Sequence, residues 1–222
     1  MRIDTQQHLF LYAYPAHQLQ VGSRKGIDTR PSSVQEGLLR YRQDCEKEPA
    51  VQRKPSMDFA RDMFMFSFCT RGMSFIDMAY LKKADLNNGC LAYRRKKTGQ
   101  LMMIEWTKQM QDIIDKYKSD GTSYLLPIIT SEDGSERRQY QNQMRKINRL
   151  LKDIANRAGL PMPLSMYYAR HSWATIARGR DVPLAVISEG LGHDSETTTQ
   201  IYLDSIKSSE VDKVNRMILE GL

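Results

Sequence analysis

Cysteine is scarce in this chain: Cys45, Cys69 and Cys90 make an odd number, and no C-x-x-C pair occurs. That argues against a disulfide framework or a zinc ribbon and for reduced structural thiols. No segment approaches the roughly 20 apolar residues of a membrane-spanning helix. The start, Met1-Arg2-Ile3-Asp4, has no basic-then-apolar signal region, so export is not expected. Glycine-rich phosphate loops, metal-ligand spacings, a Ser-His-Asp arrangement, repeats and low-complexity tracts are all missing. Acidic charge is in deficit, with a net charge of +7 and a pI near 9.3. That balance permits a nucleic-acid partner through phosphate contacts but does not establish one.

What is present suits one domain with an appendage, or two small domains, in 222 residues that are 41% hydrophobic. Residues 1–31 carry no clear period and contain Pro15, Gly22, Gly26 and Pro31, so they read as an irregular arm with a short helix near Leu9 to Tyr14. Ser32 or Ser33 caps a helix that ends before Pro49, and Ser56 caps a second, with Asp58 in its first turn. Ser74 to Leu81 forms a short helix. Leu91 to Lys96 and Leu101 to Trp106 flank Thr98-Gly99 as a hairpin. A helix over Thr107 to Lys118 and a short strand or extended segment at Leu125 to Ile129 follow. A long amphipathic helix runs from about Glu136 to Ala158. The remainder reads as helices at Ser165 to Arg178, Leu184 to Leu191 and Glu196 to Leu203, then a terminal helix lined by Val211, Val214 and Ile218. The fold class is mainly α with a small antiparallel β-sheet (α+β).

The densest chemistry lies between Tyr167 and Tyr202, where Arg170, His193 and Tyr202 share one compact segment. A guanidinium and an imidazole can hold a phosphodiester and its developing charge, and a phenol can attack the phosphorus. Arginine offers a planar fork that lysine does not mimic. His193 follows Leu191-Gly192, where glycine lets the chain turn and present the ring.

Tyr167-Tyr168-Ala169-Arg170-His171, Leu191-Gly192-His193 and a tyrosine nine residues after that histidine resemble the ordered motifs of the tyrosine recombinase (phage integrase) family. The resemblance runs from about Phe59 to Tyr202. Its wording around GMSFIDMAYLKKADL and YRRKKTG is most similar to integrases of mobile elements in Bacteroides-type bacteria. It implies a tyrosine recombinase catalytic-domain fold and site-specific DNA recombination through a covalent phosphotyrosine. Because the bond energy is conserved, no metal, ATP or other cofactor is expected. The implied divisions are an arm over 1–31, a catalytic domain over 32–205 and a terminal helix over 206–222, open to exchange between protomers. The implied partner is double-stranded DNA, with a homotetramer on paired recombination sites and a monomer open without DNA. The implied location is the bacterial cytoplasm. A separate DNA-clamping helical domain normally precedes the catalytic one, and the resemblance here leaves little room for it.

By resemblance, Tyr202 is the nucleophile, Arg170 and His193 bind the phosphate, and Lys97 is the acid that protonates the leaving 5′ oxygen. The family's usual histidine is replaced by Tyr167, whose hydroxyl can donate a hydrogen bond but does not titrate near neutrality. His171, one residue beyond Arg170, is expected to point elsewhere, about 100° around the helix. The family's first arginine is replaced by Ser74, three residues before Asp77. Arg71 could substitute if the helix reached back to it. Arg95, two residues before Lys97 and so expected on the same strand face, needs no such extension and is preferred. Asp77 would orient the arginine. Lys82, Lys83, Arg94, Lys96, Arg145, Lys146 and Arg149 are candidate backbone contacts. Two rivals stay open: a truncated, catalytically idle DNA-binding competitor, and a type IB topoisomerase.

Overall fold

The computed structural model describes residues 55–160 and 163–204. The predicted arm over 1–31, the helix ending before Pro49, Cys45, and the terminal helix with Val211, Val214 and Ile218 lie outside the described residues.

Helix α1, Pro55–Cys69, is the centre of the core. Its first residue is Pro55 rather than Ser56 as a cap, because a helix's first turn needs no N–H from proline and its fixed φ is already helical. Met63, Phe64 and Phe66 are fully buried in it. Arg61 spans Asp58 at 3.0 Å and Asp62 at 2.8 Å, and Tyr117 Oη donates to Asp62 at 2.9 Å, tying α1 to a later helix. The helix ends in a turn where Arg71 (φ 61°) and Gly72 (φ 73°) are both left-handed and Gly72 N–H donates to Ser67 O at 2.8 Å. Helix α2, Phe75–Ala79, starts after Ser74, whose hydroxyl accepts from Asp77 N–H at 3.3 Å and donates to Asp77 Oδ2 at 2.6 Å.

A 3-10 turn, Lys83–Asp85, leads to an antiparallel sheet of β1 (Leu86–Asn87), β2 (Cys90–Arg94) and β3 (Leu101–Glu105) in that order. Leu91 faces Ile104 and Tyr93 faces Met102, and this face is buried against the core. The β1–β2 turn is Asn88-Gly89, both at positive φ (48° and 72°), the geometry that matches strand twist in a two-residue hairpin. Helix α3, Lys108–Lys116, is shorter than its predicted span. Leu125 to Ile129 is no strand: it is buried, made of bends and turns, and tied in by Leu125 N–H to Leu81 O at 2.8 Å. An apolar run specifies burial, and here that is achieved without a ladder.

Helix α4, Glu136–Arg157, buries Ile147, Leu151, Ile154 and Ala155 against α1. Helices α5, Tyr167–Gly179, and α6, Leu184–Leu191, and a last helix, α7, over residues 196–204, complete the described chain. Ser195 Oγ accepts from Thr198 N–H at 3.3 Å at the start of α7. Ala174, Ile187, Leu191 and Leu203 form a second, smaller core, with Trp173 and Tyr202 packed against it. The result is a mainly helical fold with one small antiparallel sheet. No described helix is long and apolar enough to cross a membrane.

Candidate active site

The site is assembled at the C-terminal end of α6, where helix carbonyls carry partial negative charge and attract cations. Gly192 closes the helix in the left-handed region (φ 63°), and His193 N–H donates back to Ser188 O at 3.0 Å. A Cβ at Gly192 would stand 2.7 Å from Arg95 Cδ and 2.7 Å from Met102 Sδ, so glycine is required by contact as well as by φ. Two buried guanidinium groups meet this end. Arg170, from α5, donates from Nη2 to Leu191 O at 2.6 Å and from Nη1 to Gly72 O at 3.0 Å. Arg95 donates from Nη1 to Gly192 O.

Arg95 and Lys97 do not share a strand face, because β2 ends at Arg94. Arg95 continues the buried alternation of Leu91 and Tyr93, whereas Lys97 is exposed in the turn closed by Gly99 N–H to Arg95 O at 2.8 Å. Arg95 Nε lies 3.9 Å from Asp77 Oδ2, and Asp77 Oδ1 accepts from Lys96 N–H at 2.7 Å. Asp77 therefore holds both the guanidinium and the root of the turn carrying Lys97. Arg71 is not on a helix with Asp77. α1 ends at Cys69, α2 starts at Phe75, and Arg71 is partly exposed in the left-handed turn between them.

His193 Nε2 is 3.0 Å from Arg170 Nη2, and its Nδ1 is 2.7 Å from the hydroxyl of fully buried Thr199. Burial pushes the imidazole pKa down to about 4, with Arg170, Arg95 and Lys97 adding to the shift. Arg170 is itself lowered, by burial first and then by Arg95. Because the folded His193 resists protonation, its contribution to stability is complete above its ordinary value of 6.5 and is lost as pH falls toward about 4. The melting temperature of the wild type will therefore fall more between pH 7 and pH 4.5 than that of His193→Gln. Equal slopes would remove His193 from the acid sensitivity.

Tyr202, on α7, sits edge-on to His193 at 5.8 Å between ring centroids and edge-on to Tyr167 at 6.3 Å. Burial pushes its phenol well above the ordinary value, Tyr167 adds to this and Arg170 opposes it. His171 does not point away: its ring stacks on Tyr202 at 5.0 Å and 18°, and Tyr167 meets it edge-on at 4.4 Å. Tyr167 and His171 are four residues apart and so share a helix face, a signal that was available in the spacing. Thr199 gave no comparable signal, being one of three consecutive threonines of which it alone is buried. Among the candidate backbone contacts, Lys82, Arg94, Arg145, Lys146 and Arg149 are exposed. Lys83 Nζ donates to Thr122 O at 2.8 Å and Lys96 Nζ lies 4.6 Å over the Tyr80 ring, so both are partly engaged within the fold.

Residues 50–209 match the model of the Phage integrase family. The chain is 31% identical to the tyrosine recombinase XerA of Thermococcus kodakarensis over 59% of this chain and 46% of that protein. It is similar in structure to a XerH site-specific recombinase bound to palindromic difH substrate in a post-cleavage complex. The TM-score is 0.53 at 21% identity, covering 82% of this chain and 52% of that one. A lambda integrase tetramer bound to a Holliday junction gives 0.51 at 20% identity, covering 86% and 51%. The chain thus spans about half the length of the curated relatives it matches.

Proposed function

The chain belongs to the phage integrase family, and from that premise we propose that it carries the catalytic unit of a tyrosine recombinase that cuts and rejoins double-stranded DNA at specific sites. The observation that supports this most is a convergence. Arg170 from α5, Arg95 from the hairpin, His193 from the end of α6 and Tyr202 from α7 converge, although 107 positions (202 − 95) separate Arg95 from Tyr202. Chemistry that needs only fixed cations, a donor and a phenol has its parts here in one place.

In the proposed reaction, Arg170, Arg95 and His193 take a phosphodiester; the two guanidinium groups exchange contacts with backbone carbonyls, and His193 its contact with Arg170, for contacts with non-bridging oxygens. The Tyr202 oxygen attacks phosphorus, the P–O bond to the 5′ oxygen breaks, and Lys97 from the exposed turn gives that oxygen a proton. The phenol proton passes to solvent water as the P–O bond to tyrosine forms. A 5′ hydroxyl attacking the phosphotyrosine reverses these steps and reseals the strand. The catalytic unit would extend over 32–205, with the segments on either side, and a homotetramer on paired sites, belonging to the same proposal.

Between Arg71 and Arg95, the geometry favours Arg95, which is buried, held by Asp77 and adjacent to Arg170. Arg95→Ala will slow cleavage about 10²- to 10³-fold, the usual cost of deleting one donor to a developing oxyanion. Arg71→Ala will slow it by less than about tenfold. The reverse order in single-turnover cleavage would move the role to Arg71. The function itself is tested with a nicked duplex carrying the ends of the encoding element. The expected product is a covalent protein–DNA adduct resistant to denaturant. Measurable DNA binding with no adduct, even after a clamp domain is supplied, would leave the competitor reading, which Tyr167 and Ser74 favour. Sequence-independent relaxation of supercoils would indicate a topoisomerase instead.

A further inference from the structure

Thr199 is a polar residue with no role in the reaction as proposed, yet it is completely buried one turn before Tyr202 on α7. Its partner explains why. A guanidinium nitrogen can only donate, so the 3.0 Å contact from Arg170 Nη2 obliges His193 Nε2 to accept. The neutral ring then carries its one proton on Nδ1, and that proton is given to Thr199 Oγ1 at 2.7 Å. We propose that Thr199 is a positioning residue that fixes His193 as the Nδ1–H tautomer and keeps Nε2 turned toward Arg170 and the phosphate site. The consequence for cleavage rests on the strand-transfer reading above; the tautomer itself does not.

The backbone of His193 is already set by Gly192 and by the Ser188 carbonyl, which leaves ring rotation and tautomer as its freedoms. Thr199 removes both. Residues 199 and 202 lie three apart on one helix, so the same hydrogen bond that aims the imidazole also ties the nucleophile's helix to the end of α6. The lock need not change during reaction. When a phosphate oxygen displaces the Arg170 contact, Nε2 must gain a proton in order to donate to it, and Thr199 accepts from Nδ1–H before and after. The other groups that face His193 are Arg170, Arg95 and Lys97 as cations, Asp194 as the carboxylate and the Tyr202 phenol. An acceptor on Nδ1 favours the imidazolium against those cations. Removing it lowers the pH at which the proton is lost.

The test uses the full chain labelled with ¹⁵N-histidine. Four histidines are present, and His193 is assigned by its loss in His193→Gln. Long-range ¹H–¹⁵N spectra will show the Nδ1–H pattern for His193 in wild type and in Thr199→Ser, and a mixture in Thr199→Val. An Nε2–H pattern in wild type overturns the lock. On the nicked duplex, Thr199→Val will cleave about tenfold more slowly, the worth of one hydrogen bond. The alkaline limb of its pH profile will move to lower pH, and Thr199→Ser will behave as wild type. A wild-type rate and profile in Thr199→Val overturns the positioning role. So does a serine variant as impaired as valine, which would make Thr199 a packing residue. Should wild type form no adduct at all, the strand-transfer reading fails, and the spectra alone decide the lock. Serine and wild-type spectra also carry the test if valine proves unstable.

Discussion

Tyr202→Phe will form no covalent adduct with DNA, while Tyr167→Phe will still form it at a rate within about tenfold of wild type. The site holds two phenols with ring centroids 6.3 Å apart, so the nucleophile has to be decided on position. Tyr167 heads α5, is 55% exposed and meets the His171 ring edge-on rather than the ring of His193. Tyr202 is the phenol that lies against His193, and Arg170 is close enough to pull its pKa downward against the effect of burial. Attack requires the phenol to lose its proton as the bond to phosphorus forms, and a nearby guanidinium favours the anion that results. Phenylalanine keeps the ring stacked on His171, so DNA affinity and melting temperature serve as internal controls. An adduct from Tyr202→Phe would sink the assignment. Loss of the adduct in both variants would instead make Tyr167 the group through which the phenol proton leaves.

The elements that local rules dictate were legible in the sequence. Glycine at 192 announces the end of α6, and the period of Ile147, Leu151 and Ile154 announces α4, because each signal lies within a turn or two of the residues it governs. The tyrosine nine residues after His193 does lie beside it. What stayed hidden depends on partners distant in sequence. Arg95 prolongs the alternation of Leu91 and Tyr93 and has Asp77 near it as the resemblance implies, but nothing local reveals that the Gly192 carbonyl receives it. His171 is set off from Arg170 by the ~100° helix step, yet its four-residue spacing from Tyr167 brings it to the face that meets Tyr202. Asn88-Gly89 is a local hairpin signal, whereas the apolar run of Leu125 to Ile129 fits a strand and a buried turn equally well. Ser74 was legible only as an absence of arginine. Its positive role, capping α2 while holding Asp77, needs the fold.

Two glycines with the same backbone angle separate conformational strain from contact. Gly72 (φ 73°) and Gly99 (φ 72°) both occupy the left-handed region, where an alanine costs about 1–2 kcal/mol. Around Gly99 nothing lies within 4 Å of an added Cβ. At Gly72 the Cβ would fall 2.6 Å from Arg170 Cα and 2.8 Å from its Cβ and Cγ. The first of these is backbone in the first turn of α5 and can yield only if the helix moves away from the turn after α1. Overpacking adds a further ~1–3 kcal/mol. Gly72→Ala will therefore lose about 2–5 kcal/mol in denaturant unfolding, from strain and overpacking together. Gly99→Ala will lose about 1–2 kcal/mol from strain alone. The larger loss will also reach the site. The displaced element carries Arg170, and the Gly72 carbonyl that Arg170 Nη1 reaches at 3.0 Å would move with the turn. Gly72→Ala should accordingly cleave poorly even at temperatures where it remains folded, with Gly99→Ala the folded control for stability. Equal losses for the two variants would mean that α5 does not approach the turn as closely as 2.6 Å implies, and would undo the account of how the turn after α1 holds Arg170.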